Sequence, residues 1–377
     1  MQFDVHFCLI SQQALANFLP ILDSKFRPKK AVFFVTSEMK QYAGFLQEVF
    51  KKYQVKVDWV DVSDPYDIAR IRDLVFTKAL EYDNESITLN VTGGTKTMAI
   101  AAQQAFDAAG KPFFYLNHGS HEIQILQGNQ KPVAKLMLEP KLELKECLNV
   151  HGFSIEKQDC ISPLTQTQNN LLSFLVRYNS TNREAISRLN YLASKCTHHG
   201  SLKCDWSQEV GGKADRDLFK EVLEHFEEAG YLTYTKDTLE FSSVEARSFA
   251  NGLWFELYVA SELPNAKVKD KAMNVVVKSG EVKNELDVAF ISRNRLHILE
   301  CKTRNYRGNE DESIRDAIYK LETLKRLGGL NSKCALVSYL PVENKRFRER
   351  AADSGIKLID GSEIKNLKNQ LENWIGK

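Results

Sequence analysis

The chain has 377 residues, of which 43% are hydrophobic and 27% are charged, and its formal net charge is +2. These values are ordinary for a soluble globular protein, and no run of residues is apolar over the length that a membrane-spanning helix needs, so the composition excludes a membrane-embedded protein. The small net charge means that any positive field for nucleic acid has to be local, as in residues 345–350.

The first residues do not resemble a targeting segment. Residues 1–10 have no basic leader and no cleavage site, and their pattern is typical of a β-strand. The seven cysteines are an odd number without the spacing of a disulfide framework, which favours reduced thiols. We therefore expect a cytoplasmic protein. Separately, the chain length predicts two or three domains of about 150 residues each.

The first third of the chain alternates between strand and helix patterns. Short apolar runs predict strands, and amphipathic segments between them predict helices. This alternation favours a parallel, Rossmann-like sheet with helices on both faces, and ligands of such sheets bind beyond the carboxyl ends of the strands. The predicted strands are 3–10, 31–36, 55–60, 86–91 and 112–116, and the predicted helices are 12–22, 38–53, 66–82 and 97–109.

Three polar loops follow predicted strands in this region, at residues 11–13, 36–38 and 90–97. The last loop runs through two glycines into a helix, so backbone amides and the helix N-terminus can face an anion, and Lys96 adds a point charge. Its spacing matches neither a Walker A loop nor GxGxxG, so we reject an ATPase and a dinucleotide site, while a plain turn capped by threonine stays open. The candidate ligand residues are Ser11, Gln12, Thr36, Thr92, Gly93, Gly94, Thr95 and Lys96.

The run Asn-Val-Thr-Gly-Gly-Thr-Lys-Thr-Met at 90–98 resembles the signature of CARF domains, and Ser11-Gln12 resembles the first ligand loop of that family. The resemblance implies a sensor of the cyclic oligoadenylates that type III CRISPR complexes make. It also implies a homodimer, with the ligand lying across the two-fold axis between two CARF domains. A symmetric cyclic ligand suits such an isologous interface, and the resemblance favours cyclic tetra-adenylate as the activator.

Residues 128–160 form a charged connector in which 133–138 has a strand pattern, and a helical pattern follows from 163 to about 245. A helix at 217–229 and a hairpin at 231–241 resemble a winged helix with its wing. The exposed side of that helix is acidic, which disfavours insertion into a DNA groove and favours a structural spacer. Cys196, His198, His199 and Cys204 match no standard zinc spacing, so we do not place a metal there.

Two runs of the last third, 286–291 and 296–302, flank a polar turn at Ser292–Arg295 and predict a hairpin that brings Asp287 beside Glu300. Glu300 and Lys302 share one strand face. Hard divalent cations prefer oxygen ligands, so this pair is a plausible metal site, with the lysine orienting or activating water. Glu256 lies in the apolar segment 253–260, where a buried charge needs a partner. The plain alternative is a solvated hairpin with a salt bridge.

Glu256, Asp287 and the tripeptide Glu300-Cys301-Lys302 together resemble the PD-(D/E)xK nuclease superfamily. The resemblance implies that Glu256, Asp287 and Glu300 hold one or two Mg²⁺ or Mn²⁺ ions and that Lys302 positions the attacking water. It also makes Tyr319 and Lys320, on a helix predicted at 313–327 after a polar loop at 306–312, candidates for substrate contact. The alternative is that Tyr319 and Lys320 belong to a polar stripe on the exposed surface of this helix. A strand at 334–340, a helix at 348–356, a strand at 357–359 and a terminal helix from 360 complete the prediction.

We interpret the sequence as an α/β protein with a CARF sensor at 1–150, a helical or winged connector at 151–248 and a PD-(D/E)xK nuclease domain at 249–377. The expected function is a metal-dependent endonuclease that a cyclic oligoadenylate activates and that cuts or nicks nucleic acid. Because the catalytic set handles either phosphodiester, the choice between DNA and single-stranded RNA stays open. One alternative is a ligand-responsive DNA-binding regulator with an inactive nuclease fold, which the intact catalytic set disfavours. The other is an Mrr-like restriction endonuclease, which the Thr-Gly-Gly-Thr-Lys loop disfavours.

Overall fold

The computed structural model describes residues 2–128, 134–177, 183–303 and 310–376. It contains a seven-stranded sheet, a small three-stranded sheet and a six-stranded sheet, each covered by helices. The predicted mixed α/β class is confirmed. Of the predicted loop 306–312, residues 306–309 lie outside the described residues. No helix in the described ranges has the length and apolarity to cross a membrane.

The first sheet has the strand order β3-β2-β1-β4-β5-β6-β7, in which the first five strands are parallel, β6 is antiparallel to β5 and β7 is antiparallel to β6. The inner strands are mostly apolar and are buried at nearly every position, because both faces of the sheet are covered by helices. Its strands are β1 (Val5–Leu9), β2 (Lys30–Val35), β3 (Lys56–Asp61), β4 (Ile87–Asn90), β5 (Phe113–Asn117), β6 (Glu122–Leu126) and β7 (Ala134–Met137), and its helices are α1 (Ala14–Leu22), α2 (Lys40–Lys52), α3 (Ile68–Leu80) and α4 (Lys96–Ala108).

Helices α1 and α2 pack on one face of this sheet and α3 and α4 on the other. Helices α1, α2 and α3 lie within the segments that the sequence predicts, and α4 begins one residue before its predicted segment. Strand β6 was not predicted, because alternating polar residues such as Glu122 and Gln124 hide a strand that has one half-exposed face. Two further elements lead to the rest of the chain: α5 (Leu144–Val150) and β8 (Ser154–Cys160).

The middle unit is three helices with a small antiparallel sheet of order β10-β11-β9, which is the arrangement of a winged helix. The exposed acidic residues of its last helix, including Glu224 and Glu227, lie between buried aromatic and aliphatic positions. Its elements are α6 (Gln166–Arg177), α7 (Arg183–His198), β9 (Lys203–Asp205), α8 (Lys213–Glu228), β10 (Leu232–Tyr234) and β11 (Thr238–Phe241).

The last unit is built on a sheet of order β16-β15-β14-β13-β12-β8. Its hairpin turns at Ser292–Arg295, as predicted, through Arg293 and Asn294 in the left-handed region. The elements are α9 (Val244–Ser248), α10 (Trp254–Ser261), β12 (Asp270–Ser279), β13 (Val282–Ser292), β14 (Arg295–Lys302), α11 (Glu310–Leu324), β15 (Lys333–Ser338), α12 (Lys345–Asp353), β16 (Ile356–Asp360) and α13 (Leu367–Gly376).

Strand β8 differs from the sequence-based interpretation, in which residues 151–248 connect the two larger domains. It pairs antiparallel with β12 and therefore forms the edge of the last sheet. The side chains explain why the sequence hides it: five of its seven residues are polar or charged, as on an edge strand whose outer side faces solvent.

The first and last units share one apolar core. The four buried apolar side chains of α5 belong to a cluster that contains both Phe33 of the first sheet and Ile298 of the last. Polar contacts add to it: His121 Nε2 lies 3.1 Å from the Arg293 carbonyl oxygen, and Asn294 Oδ1 accepts a hydrogen bond from the backbone of Leu142 at 3.2 Å. The first and last units are thus joined through their interiors.

Candidate ligand pocket and carboxylate–lysine site

A cavity of about 470 Å³ opens at the carboxyl ends of the strands of the first sheet. Five of the eight predicted ligand residues line it, namely Ser11, Gln12, Thr36, Gly94 and Thr95. They come from the loops after β1, β2 and β4, which the parallel sheet brings to the same edge. The pocket is therefore where the alternation of strands and helices predicts a ligand.

Two glycines allow the loop after β4 to approach the end of β1. A Cβ atom added to Gly93 would lie 2.5 Å from the carbonyl oxygen of Leu9. Gly94 has a φ of +78°, and its Cβ would lie 2.8 Å from the Leu9 side chain. Any side chain at either position would push the loop outwards, because these distances are shorter than van der Waals contact.

Thr92, Thr95 and Lys96 differ in what they contact. The Thr92 hydroxyl accepts a hydrogen bond from the Leu116 backbone at 2.8 Å, so it ties the loop to β5 and does not line the cavity. Thr95 caps α4 by accepting from the Met98 backbone at 3.1 Å. Lys96 begins α4, is exposed, and makes no hydrogen bond or ion pair with the described residues.

Sequence reasoning missed the pair of asparagines behind the pocket. The buried Asn17 side chain donates to the Leu9 carbonyl at 3.0 Å, and Asn90 donates to Asn17 Oδ1 at 2.9 Å and accepts from the Thr92 backbone at 3.0 Å. These bonds hold the first and third loops together. The signal was present: Asn17 is the single polar residue in the otherwise apolar helix α1.

Sequence reasoning also missed Tyr66, in the loop after β3. It lines the same cavity and is 72% exposed. An exposed aromatic ring beside a pocket is available for stacking on a flat ligand group.

The second site lies where β13, β14 and α11 meet. Glu300, whose side chain is 2% exposed, has the Lys302 ammonium 2.8 Å from Oε1 and the Lys320 ammonium 2.6 Å from Oε2. Lys320 also lies 3.8 Å from Asp287 Oδ1, and Asp287 Oδ2 accepts a hydrogen bond from the Cys301 backbone at 2.7 Å. The hairpin thus brings Asp287, Glu300 and Lys302 together, and α11 adds Lys320.

Glu256 joins this cluster from helix α10. That helix is preceded by a single π-helical segment, Phe249–Leu253, in which Gly252 has a φ of +126°. A Cβ atom on Gly252 would lie 2.9 Å from the Thr303 hydroxyl, one residue after Lys302, so the glycine lets the helix approach the end of β14.

The carboxylates of this cluster repel one another. Burial, followed by the charges of Asp287, Glu285 and Glu300, raises the pKa of Glu256 to about 8. Burial and Glu300 raise the pKa of Asp287 to about 6. For Lys302, burial lowers the pKa, but the attraction of Glu300 and Asp287 outweighs it, so the net pKa is raised and the ammonium stays charged.

Oxygen donors whose mutual repulsion raises their pKa fit a hard divalent cation, which would favour their charged forms. As they stand, Lys302 and Lys320 supply the compensating charge. Within the described part of the chain, no three His, Cys, Asp or Glu side chains are already arranged as a metal site. The donor set therefore suits Mg²⁺ or Mn²⁺, and Glu256, Asp287 and Glu300 would have to draw together around the ion.

Tyr319 does not enter this cluster. Its ring lies under the Arg350 guanidinium, 4.1 Å from ring centroid to the guanidinium carbon, and its hydroxyl accepts from Arg350 at 3.2 Å. Because consecutive helix residues point about 100° apart, Lys320 faces the carboxylates while Tyr319 faces a groove beside α12. The two predicted substrate residues thus lie on different surfaces of α11.

The contribution of Glu256 to the stability of the metal-free protein is expected to fall as the pH rises from about 4.5 to 8. Glu256 is protonated in the folded state over that range and ionised in the unfolded state, so folding is disfavoured as the pH rises. Glu256→Gln should therefore raise the unfolding temperature by several degrees at pH 8 and hardly at pH 5, measured by calorimetry in EDTA. The exposed Glu240→Gln is the control. An equal effect of Glu256→Gln on the unfolding temperature at both pH values would contradict the raised pKa of this carboxyl.

Family models match both ends of the chain. Residues 5–147 match the model described as the Card1 CARF domain, and residues 243–377 match the model described as a Card1-like endonuclease domain. The pocket lies in the first match and the carboxylate–lysine site in the second. None of the curated proteins compared with the chain matches it.

Solved structures resemble the whole chain. Protein VC1899 from Vibrio cholerae has a TM-score of 0.83 at 26% identity, covering 99% of this chain and 98% of that one. Can2 from Sulfobacillus thermosulfidooxidans, solved with cyclic tetra-adenylate, has a TM-score of 0.80 at 25% identity, covering 100% and 98%. A type III CRISPR defence DNA nuclease activated by cyclic oligoadenylate shares the fold, with a TM-score of 0.52 at 18% identity, covering 90% of this chain and 45% of that one.

Proposed function

Since residues 5–147 match a Card1 CARF domain and residues 243–377 match a Card1-like endonuclease domain, we propose that the chain is an endonuclease of type III CRISPR defence that a cyclic oligoadenylate switches on. The observation that carries this proposal is the presence of both sites in one chain: the pocket at the Gly93-Gly94 loop and the carboxylate–lysine cluster around Glu300. We expect it to act in the cytoplasm, where its free cysteines stay reduced.

The proposed activator is cyclic tetra-adenylate, bound between two copies of the chain. Can2, which resembles this chain over its full length, was solved with that molecule. The exposed Lys96 and the loop residues Ser11 and Gln12 would be presented twice, related by a two-fold axis. A ring with an even number of nucleotides shares that axis and satisfies both halves equally, whereas a three-membered ring leaves groups of one half unpaired.

In the proposed mechanism, Asp287, Glu300 and Glu256 would hold Mg²⁺ or Mn²⁺, which when bound would supply Lewis-acid stabilisation of the charge on the phosphodiester. Lys302, charged and 2.8 Å from Glu300, orients the attacking water and stabilises negative charge that develops in the transition state. Lys320 provides a second positive charge next to Glu300 and Asp287. Its ammonium neutralises the carboxylates before the substrate arrives.

The substrate is proposed to be nucleic acid, DNA or single-stranded RNA, because the same groups act on either phosphodiester. A DNA-binding regulator with an inactive nuclease fold is the second candidate. The contacts of Glu300 with Lys302 and Lys320 disfavour it, since a buried carboxylate between two lysines carries a desolvation cost and adds little to stability.

A nuclease assay tests the proposal. Supercoiled plasmid and single-stranded RNA are each incubated with the protein, Mn²⁺ and cyclic tri-, tetra- or hexa-adenylate. We expect cleavage with the tetramer and little without any activator. Strongest activation by the trimer would overturn the two-fold ligand site, strongest activation by the hexamer would change only the ring size, and no cleavage with any ring would overturn the proposed activity.

Replacing Lys96 with alanine is expected to weaken activator binding about 10- to 100-fold, because a hydrogen bond to a charged group contributes roughly 1.5–3 kcal/mol. Isothermal titration with cyclic tetra-adenylate measures it. Lys56→Ala is the matched control, since Lys56 is an equally exposed lysine at the opposite end of the same sheet. Unchanged affinity and an unchanged activation midpoint in Lys96→Ala would contradict the assignment of this loop.

A further inference from the structure

A second cavity, of about 650 Å³, lies between the first sheet and the last. The sensor side contributes uncharged polar residues and the nuclease side contributes cations. Among the described residues that line it, none is an aspartate or a glutamate. The polar and charged residues that matter here are Gln12, Gln41, Tyr42, Lys325, Arg326 and Ser332.

The two cations differ in what they contact. The Lys325 ammonium donates to the carbonyl oxygen of Ser354, so part of its hydrogen-bonding capacity is used within the nuclease unit. Arg326 is exposed and makes no hydrogen bond or ion pair with the described residues. A guanidinium presents donors in a planar fork that matches phosphate or carboxylate oxygens. The wall of the cavity therefore offers an uncommitted anion-binding group.

A buried hydroxyl adds an independent sign of a missing partner. Ser332 is 7% exposed, and its Oγ has no hydrogen-bond partner among the described residues. A buried polar group without a partner costs stability unless a ligand or water satisfies it. Because Ser332 lines the cavity beside Arg326, a ligand oxygen held by Arg326 would accept from this hydroxyl once the serine side chain rotates towards the cavity.

The cavity shares one wall with the ligand pocket of the sensor, because Gln12 lines both. We propose that this second cavity binds a phosphate group, held by Arg326 and Ser332 on the nuclease side and by Gln12 and Gln41 on the sensor side. The inference rests on the proposed function. The phosphate belongs either to the cyclic activator, reaching past Gln12, or to a separate nucleotide.

The position of Arg326 gives such binding a route to the catalytic cluster. Arg326 lies in the 3₁₀ segment Lys325–Asn331, which continues directly from α11. Lys320, which contacts Glu300, lies on that helix six residues before Arg326. At 1.5 Å per residue, the two positions are about 9 Å apart along the axis. An anion shared by Gln12 and Arg326 would therefore bias the position of α11 and of Lys320 at the same time.

The test uses the full-length protein with Arg326→Gln, and with Ser332→Ala as a smaller change in case the first variant fails to fold. Arg346→Gln is the matched control, since Arg346 is also exposed and its side chain has no partner among the described residues, but it lies on α12, outside the cavity. Titration measures the affinity for cyclic tetra-adenylate. Calorimetry measures the stabilisation that ATP or inorganic phosphate gives each protein.

If the phosphate belongs to the activator, Arg326→Gln weakens cyclic tetra-adenylate binding about 10- to 100-fold, Ser332→Ala weakens it less, and Arg346→Gln leaves it unchanged. If a separate nucleotide binds, activator affinity is unchanged, and the stabilisation by ATP or phosphate seen in the wild type is lost in Arg326→Gln. Behaviour of Arg326→Gln like that of Arg346→Gln in both measurements overturns the inference. A wild-type protein that no cyclic oligoadenylate activates would instead overturn the proposed function.

Discussion

Cleavage is expected to fall at least ~10³-fold when Glu300 is replaced by glutamine, while the affinity for the activator stays unchanged. Glutamine keeps the size of the side chain but removes the charge that faces both Lys302 and Lys320. Without that charge, the site loses a cation ligand and the partner that orients Lys302. The measurement is the single-turnover cleavage rate at saturating activator, with titration calorimetry for the ligand.

Lys302→Ala should give a loss of the same order, and EDTA should abolish cleavage by the wild type. Lys357→Ala is the control, because Lys357 is a partly exposed lysine of the same sheet that pairs with no carboxylate among the described residues. A Glu300→Gln or Lys302→Ala protein that cleaves at the wild-type rate would show that the chemistry takes place elsewhere.

Ile100→Asp is expected to convert the proposed dimer to a monomer and thereby to remove both activator binding and cleavage. Ile100 is 49% exposed and lies one helical turn after Lys96, on the same face of α4. If Lys96 faces the ligand at a two-fold axis, Ile100 faces the second copy. A buried polar group without a partner costs at least ~2 kcal/mol, and the symmetry applies that cost twice, so dimerisation should weaken about three orders of magnitude.

Sedimentation across a range of protein concentrations measures this effect. Leu80→Asp is the matched control: Leu80 is 53% exposed and lies at the far end of α3, away from the ligand loops. The control should remain dimeric and active. An Ile100→Asp protein that stays dimeric would place the contact on another face of the sensor.

The elements that the sequence predicted well are those in which local pattern and tertiary surroundings agree. The inner strands of the first sheet are buried on both faces and therefore appear as continuous apolar runs, and the helices between them have one apolar face. The hairpin at Ser292–Arg295 was equally clear, because two apolar runs flank a short polar turn. That turn sets the register that puts Asp287 and Glu300 together.

The features that the sequence did not predict depend on distant parts of the chain. Strand β8 is stabilised by β12, and the contact between Asn274 and Asp159 joins residues 115 positions apart. The roles of Asn17 and Asn90 depend on two loops meeting at the end of a sheet. The different directions of Tyr319 and Lys320 depend on where α11 packs, since helical spacing gives the angle between two side chains but not which of them faces the carboxylates.

The apolar core around α5 also bears on how such proteins can evolve. The cluster in which Leu148 is buried runs without a break from Phe33 in one sheet to Ile298 in the other. The sensor domain therefore cannot be exchanged freely between proteins. Recombination that joined it to a different effector domain would expose the apolar face of the sensor that the nuclease unit now covers. New pairings of this sensor would have to inherit, or rebuild, the matching apolar surface together with it.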